Sequence, residues 1–122
     1  MRKVKVKICG LKRAQDIECV NRLLPDYIGF VFAKTKREVT EQQAAQLKAM
    51  LNPQIKAVGV FVNAEIDKIV RLVKSRTIDI IQLHGDEDEA YCERLRLQTE
   101  LPIIKAVRVK DAGSFENLQA YP

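Results

Sequence analysis

The chain has 122 residues, 47% hydrophobic and 30% charged, the balance of a single ordinary globular domain rather than of a disordered segment. Its 21 basic and 16 acidic residues leave a net charge of +5. The cations are interleaved with acids and aromatics are few, so the charge suits a phosphorylated small molecule as well as a polynucleotide, and no nucleic-acid role is expected. The longest apolar runs, such as Tyr27-Ile28-Gly29-Phe30-Val31-Phe32-Ala33, are strand-sized. They fall far short of the roughly 18 residues of a membrane span, and no signal-peptide core follows Met1, so a cytoplasmic protein without membrane contact is expected.

The first expected element is a strand over Val4–Cys9. Its strict alternation puts Val4, Val6 and Ile8 on one face and Lys5, Lys7 and Cys9 on the other, so a thiol tops a column of two ammonium groups. Ile17, Val20 and Leu24 then carry the spacing of a helix stripe. Tyr27–Phe32 reads as the second strand, and Thr40-Glu41-Gln42-Gln43 is a T-x-x-Q capping box opening a helix with the stripe Ala44, Leu47 and Leu51. Ala57–Val62 reads as the third strand, with Asn63 placed to cap a helix striped by Ile66, Ile69, Val70 and Val73. Ile78–Leu83 is the fourth strand. A weaker stripe of Ala90, Tyr91 and Leu95 follows, and Ile103–Val109 is the fifth strand. Pro25, Pro53 and Pro102 each stand just before a strand, and Ser114–Ala120 begin a fifth helix.

Strand starts roughly 20 to 30 residues apart with helices between them are the mark of βα units and a parallel sheet, hence an α/β fold in one unit. Two architectures fit. A flavodoxin-like open five-stranded sheet suits about 120 residues, whereas a (β/α)8 barrel needs at least ~200. The polar pair Gln82 and His84, which share a face of the fourth strand, sits more comfortably in a barrel mouth than beneath a helix layer.

In both architectures chemistry gathers at the carboxyl ends of the strands. There the sequence places Cys9-Gly10, the basic loop Lys34 to Arg37, Asn63, the run Gln82 to Asp86, and Arg108. Free cysteine is commonly a buried small hydrophobe. Cys9 has a second reading, because neighbouring lysines lower a thiol pKa from about 8.5 and raise the thiolate fraction. Cys19 and Cys92 lie within helices and read as packing residues. The three cysteines match no zinc or C-x-x-C spacing, and reduced thiols are expected.

His84 is the sole histidine, which rules out a multi-histidine metal site; it is either a hydrogen-bonded structural residue or the partner of Cys9 across strands one and four. Asp86-Glu87-Asp88-Glu89 fits the positive end of a helix dipole better than a metal, and no metal is expected. Arg37 can fork a carboxylate in bidentate geometry. The sequence contains no Walker A, GxGxxG, GxSxG or HExxH pattern, which leaves nucleotide-cofactor and serine-hydrolase chemistry without support.

Taken together, Lys7-Ile8-Cys9-Gly10-Leu11, Asp26 to Phe32, Lys34-Thr35-Lys36-Arg37, Gly59-Val60-Phe61-Val62-Asn63 and Gln82-Leu83-His84-Gly85-Asp86-Glu87 resemble, in order and along the whole chain, the phosphoribosylanthranilate isomerases of tryptophan biosynthesis. The resemblance implies a (β/α)8 barrel and an Amadori rearrangement of N-(5-phosphoribosyl)anthranilate that needs no cofactor. It makes Cys9 the general base and Arg37 the clamp on the anthranilate carboxylate, with Gln82 and His84 lining the pocket. It also implies that residues 1–122 are a single partial domain, the amino-terminal part of the barrel with about five strands and four to five helices.

The family's general acid is an aspartate at the end of strand six, and its phosphate grip follows strands seven and eight. None of Asp79, Asp86 and Asp111 matches that acid. Losing a general acid costs about 10² to 10⁴ in rate, or about 3 to 5.5 kcal/mol, so the chain alone is expected to be almost inactive. Unpaired edges on strands one and five are expected to favour self-association. The alternative reading, a flavodoxin-like binding or signalling module, meets an obstacle in Cys9-Gly10 and Val62-Asn63. These residues stand where receiver-type modules carry acidic residues and a phosphoacceptor.

Overall fold

Strand parity decides between the two architectures. In the computed structural model, which describes residues 7–105, five strands alternate with four helices: β1 (Lys7–Cys9), α1 (Ala14–Leu23), β2 (Tyr27–Val31), α2 (Glu41–Met50), β3 (Lys56–Phe61), α3 (Ile66–Lys74), β4 (Ile80–Leu83), α4 (Glu89–Arg96) and β5 (Ile103–Lys105). All neighbouring strands are parallel and the sheet order is β1-β2-β3-β4-β5. An open flavodoxin-like sheet has the order 2-1-3-4-5. The sequential order is that of a (β/α)8 barrel, and the flavodoxin-like alternative falls with it.

The register gives the same answer from the side chains. Ile8, Ile28 and Ala57 align across β1, β2 and β3, and Phe30, Gly59, Ile81 and Ile103 align from β2 to β5. This parity, with Phe61 and Leu83, merges with Ile17 and Val20 of α1, Ala44 and Leu47 of α2, Ile69 and Leu72 of α3 and Leu95 of α4 into one buried cluster. The opposite parity, Cys9-Gly29-Val58-Ile80 and Val31-Val60-Gln82-Ile104, stands outside that cluster. All four helices therefore cover one face of the sheet, as the outer ring of a barrel does, and an open α/β sheet would need helices on both.

Local signals explain the element ends. Thr40 Oγ1 accepts from Gln43 N at 3.0 Å, and Gln43 Oε1 accepts from Thr40 N at 3.0 Å, so the capping box forms as read from the sequence. At α1 the Asp16 carboxylate accepts from the backbone N–H groups of Lys12 and Arg13 and pairs with the Arg13 guanidinium, and these bonds hold its pKa below the ordinary aspartate value. Phe32 and Phe61 stack with ring centroids 5.2 Å apart, joining the ends of β2 and β3.

Several expected assignments need correction. Leu24 is no part of the α1 stripe; it takes a left-handed conformation (φ 50°) that ends the helix and leaves it 43% exposed. In α3 the buried pair is Ile69 and Leu72, with Ile66, Val70 and Val73 only half-buried. In α4 Ala90 is exposed and half-buried Cys92 takes its place against the core, its thiol pKa pushed up by burial. Cys19 is exposed on α1 and is no part of the buried cluster. Val4, Lys5, Val6, the expected end of strand five from Ala106 to Val109, Arg108, Asp111 and the expected helix from Ser114 lie outside the described residues. Among those described, no helix is long and apolar enough to cross a membrane.

Candidate active site

Cys9 closes β1 and is exposed at the carboxyl end of the sheet. Its Sγ lies over Gly29 of β2: a Cβ added at Gly29 would stand 2.9 Å from the sulfur, so the thiol occupies the space that a side chain there would fill. Gly10 follows in a left-handed conformation (φ 82°), and its N–H donates to Gly29 O at 3.0 Å. The side chain of Arg37 packs directly against Gly10, in room that any Cβ would take. Cys9 and Arg37 thus line one open pocket with Gly10, Leu11, Lys12, Arg13 and Asp16, and the glycine between them is what lets them meet.

The loop carrying Arg37 is shaped by its own polar groups. Arg37 N donates to Thr35 Oγ1 at 3.1 Å, and Lys12 Nζ donates to Lys36 O at 2.8 Å, tying the loop after β2 to the loop after β1. Val39 N returns to Val31 O at 2.9 Å. Lys34, Lys36 and Arg37 stay exposed, a basic rim beside the thiol.

Gln82 of β4 reaches across to β1. Its Oε1 accepts from the ammonium of Lys7, two residues before Cys9 on the same face of β1. The expected column of two lysines under the thiol is accordingly altered: Lys7 is turned to Gln82, and Lys5 lies outside the described residues. His84 is exposed at the rim just beyond β4, with its backbone N–H donating to Phe61 O at 2.8 Å. Among the described residues no hydrogen bond joins it to Cys9, so the structure does not form the Cys-His pair. Cys9 and Arg37 are drawn together in one pocket, whereas Gln82 bonds Lys7 and His84 is exposed just beyond β4, neither of them lining that pocket.

Behind His84 lies a buried network that the sequence reading missed. Glu87, read as one of four acids at a helix start, is not in α4 at all. Its side chain is fully buried; Oε2 accepts from Asn63 N at 2.7 Å, and Oε1 accepts from Gly85 N at 2.9 Å and from Lys105 Nζ at 2.8 Å. Lys105 also donates to Gly85 O. Burial pushes the Glu87 carboxyl up, but the Lys105 ammonium and the backbone N–H groups more than offset it and hold the pKa below the ordinary glutamate value.

Asn63 takes part in this network instead of capping α3, whose N-cap is Glu65. It adopts φ 49°, and its Oδ1 accepts from Asp86 N at 2.9 Å. Asp88 does cap α4, accepting from Tyr91 N at 2.8 Å. The Tyr91 hydroxyl donates to Ala64 O at 2.6 Å, and burial together with the nearby Glu87 charge pushes its pKa up to about 12. The signal available in the sequence was slight: an asparagine, tolerant of positive φ, directly after a strand, and a lysine in an otherwise apolar fifth strand.

Comparison with known proteins decides the family. The family model for N-(5'-phosphoribosyl)anthranilate isomerase matches residues 6–121. The chain belongs to the N-(5'-phosphoribosyl)anthranilate isomerase family. It is 52% identical over 107 residues to the isomerase of Endomicrobium trichonymphae, covering 88% of this chain and 54% of that protein. Against the isomerase of Thermoanaerobacter sp. (strain X514) it is 43% identical over 118 residues, covering 97% of this chain and 57% of the relative.

Among solved structures, mutually generated monomers of the dimeric isomerase of Thermotoga maritima superpose with a TM-score of 0.85 at 33% identity, over 98% of this chain and 62% of that one. An isomerase in complex with reduced 1-(o-carboxyphenylamino)-1-deoxyribulose 5-phosphate gives 0.84 at 32% identity, over 96% and 60%. The chain spans about half the length of the curated relatives it matches.

Proposed function

We propose that this chain carries the base-bearing part of an isomerase site that converts N-(5'-phosphoribosyl)anthranilate to 1-(2-carboxyphenylamino)-1-deoxyribulose 5-phosphate. The observation that carries the reading is the joint placement of Cys9 and Arg37 around Gly10 at the carboxyl end of a sheet whose family is that of the isomerase. Substrate and product are isomers, so the reaction needs no external oxidant or reductant.

Opening of the ribose ring by a general acid leaves a protonated Schiff base between the anthranilate nitrogen and C1'. That cation withdraws electrons and acidifies the C2' proton. Cys9, as thiolate, takes the proton; the C2'–H electron pair becomes a C1'–C2' double bond, and the iminium nitrogen is neutralised. Ketonisation of the resulting enol at C2' then completes the transfer. Arg37 presents its guanidinium to the anthranilate carboxylate and so holds the ring system beside the thiol. On this reading the Lys7–Gln82 pair and His84 border the substrate outside the pocket of Cys9 and Arg37, at the carboxyl end of the sheet. In this reading the general acid and the phosphate grip come from the remaining strands of a complete barrel, since no described residue holds either place.

Cytoplasmic placement follows from a diffusible phosphorylated substrate. The outer strands β1 and β5 of the five-stranded sheet are where the chain on its own would self-associate.

Mixing this chain with the separately made carboxy-terminal half of the Endomicrobium trichonymphae isomerase should give an assembled barrel with isomerase turnover. Cys9→Ser in the same assembly should lower kcat by about 10²- to 10⁴-fold with no loss of assembly. An assembled barrel without turnover would count against the function, and undiminished turnover of Cys9→Ser would refute the base assignment alone.

A further inference from the structure

We propose that Glu87 and Lys105 form a positioning pair that holds His84 in place against the substrate; this rests on the isomerase reading above. Two loops and the end of a strand depend on this one ion pair. Glu87 fixes Asn63 after β3 through Oε2 and Gly85 after β4 through Oε1, while Lys105 at the end of β5 reaches both Glu87 and the Gly85 carbonyl. Asn63 in turn takes the N–H of Asp86, so the backbone on the carboxyl side of His84 is held at two successive residues. On its own N–H, His84 is held to Phe61 O. The imidazole is thus exposed on a backbone pinned before and after it, in a loop that would otherwise be free to hinge at Gly85.

The chemistry chosen for the clamp points the same way. A fully buried carboxylate paired with an ammonium that is 9% exposed is a costly way to hold a fold together, since an apolar pair of similar volume often does as well or better. What a carboxylate offers and an apolar group does not is two oxygens that fix two N–H groups and a cation in set directions. Glutamine cannot replace it: with its oxygen kept on Gly85 and Lys105, its NH₂ faces the Asn63 N–H, donor against donor. The Glu87 side chain touches no substrate in this reading and acts only through the His84 loop.

The test is a double-mutant cycle in the assembled barrel described above. Glu87→Gln should lower kcat/KM by about 10- to 100-fold, the scale of a misplacement of about 1 Å. His84→Ala should lower it too, and the double variant should be no worse than His84→Ala alone, because the pair has nothing left to position. Losses that multiply, or a Glu87→Gln enzyme with full turnover, would overturn the proposal. Should Glu87→Gln fail to assemble, Glu87→Met combined with Lys105→Met removes both buried charges; it should assemble and still show the reduced kcat/KM, and full turnover there overturns the proposal equally.

A parent assembly with no turnover would sink the isomerase reading itself. The clamp is then still read in the 122-residue chain, where Glu87→Gln should speed hydrogen exchange at the Asn63 and Gly85 amides. Unchanged exchange at both would show that no clamp exists.

Discussion

Two carboxylates accept a lysine and backbone N–H groups at opposite ends of the same sheet. At the amino end, Asp79 Oδ2 takes Ala57 N at 2.8 Å and Lys48 Nζ at 2.9 Å, while Asp79 N donates back to Ala57 O at 2.7 Å. At the carboxyl end, Glu87 takes Asn63 N, Gly85 N and Lys105 Nζ. The Asp79 and Lys48 side chains keep 32% and 22% of their exposure, whereas Glu87 and Lys105 keep 0% and 9%. Identical chemistry thus serves two purposes. The amino-end tie staples α2 to β3 and β4 in reach of water, and the carboxyl-end tie is sealed under the rim where exposed Cys9, Arg37 and His84 stand. In a parallel α/β fold, polar groups at the amino end act on stability and those at the carboxyl end act on chemistry.

Truncation separates the two ties most sharply. Glu87→Ala strands the Lys105 ammonium in a buried site, an uncompensated charge that should cost about 3–5 kcal/mol of stability. Asp79→Ala leaves Lys48 free to return to water and loses one bond to Ala57 N, so it should cost only about 1–3 kcal/mol. Urea unfolding of the two variants checks the order, and an equal loss in both would mean that burial does not distinguish the ties. In the assembled barrel Asp79→Ala should leave kcat unchanged.

The comparison also marks what sequence could reveal. The apolar runs and their spacing were enough for five parallel strands and four helices, because alternation and the 3.6-residue stripe are written in single residues: Ile28 and Phe30, Ala44 and Leu47 and Ile69 are buried as read. Length argued for the wrong architecture, and only the pairing order and the one-sided helix layer exclude it. At the site, Cys9 and Arg37 were legible from composition and position, and their meeting was not, since it depends on the left-handed turn at Gly10. Glu87 was hidden for a different reason. Four successive acids read alike, and only the fold shows that one points inward to Lys105 while Asp88 caps α4.

A smaller effect belongs to a helix end remote from either tie. Thr40→Ala removes the Oγ1 half of the capping box and leaves the Gln43 N–H without its side-chain acceptor, while the backbone N–H of residue 40 keeps its bond to Gln43 Oε1; it should cost about 1 kcal/mol. Serine at this position should recover most of it. The loss is read in the unfolding midpoint of the chain, with turnover of the assembled barrel unaffected.

The smallest effect belongs to the carboxyl-end tie and needs no change of covalent structure beyond a control. The folded-state pKa of Glu87 lies below its ordinary value of 4.5, so the folded form binds this proton less readily than the unfolded chain does. Its contribution to stability is therefore complete above the unfolded value, and it is lost as pH falls through the folded one. The unfolding free energy of the chain should stay level in this respect down to about pH 5 and decline below, where the unfolded carboxyl takes up its proton first. Glu87→Gln carries no such proton and should show a shallower acid limb. Parallel acid limbs for the parent and Glu87→Gln would mean that Lys105 and the two backbone N–H groups do not hold the charge on Glu87 more tightly than water does.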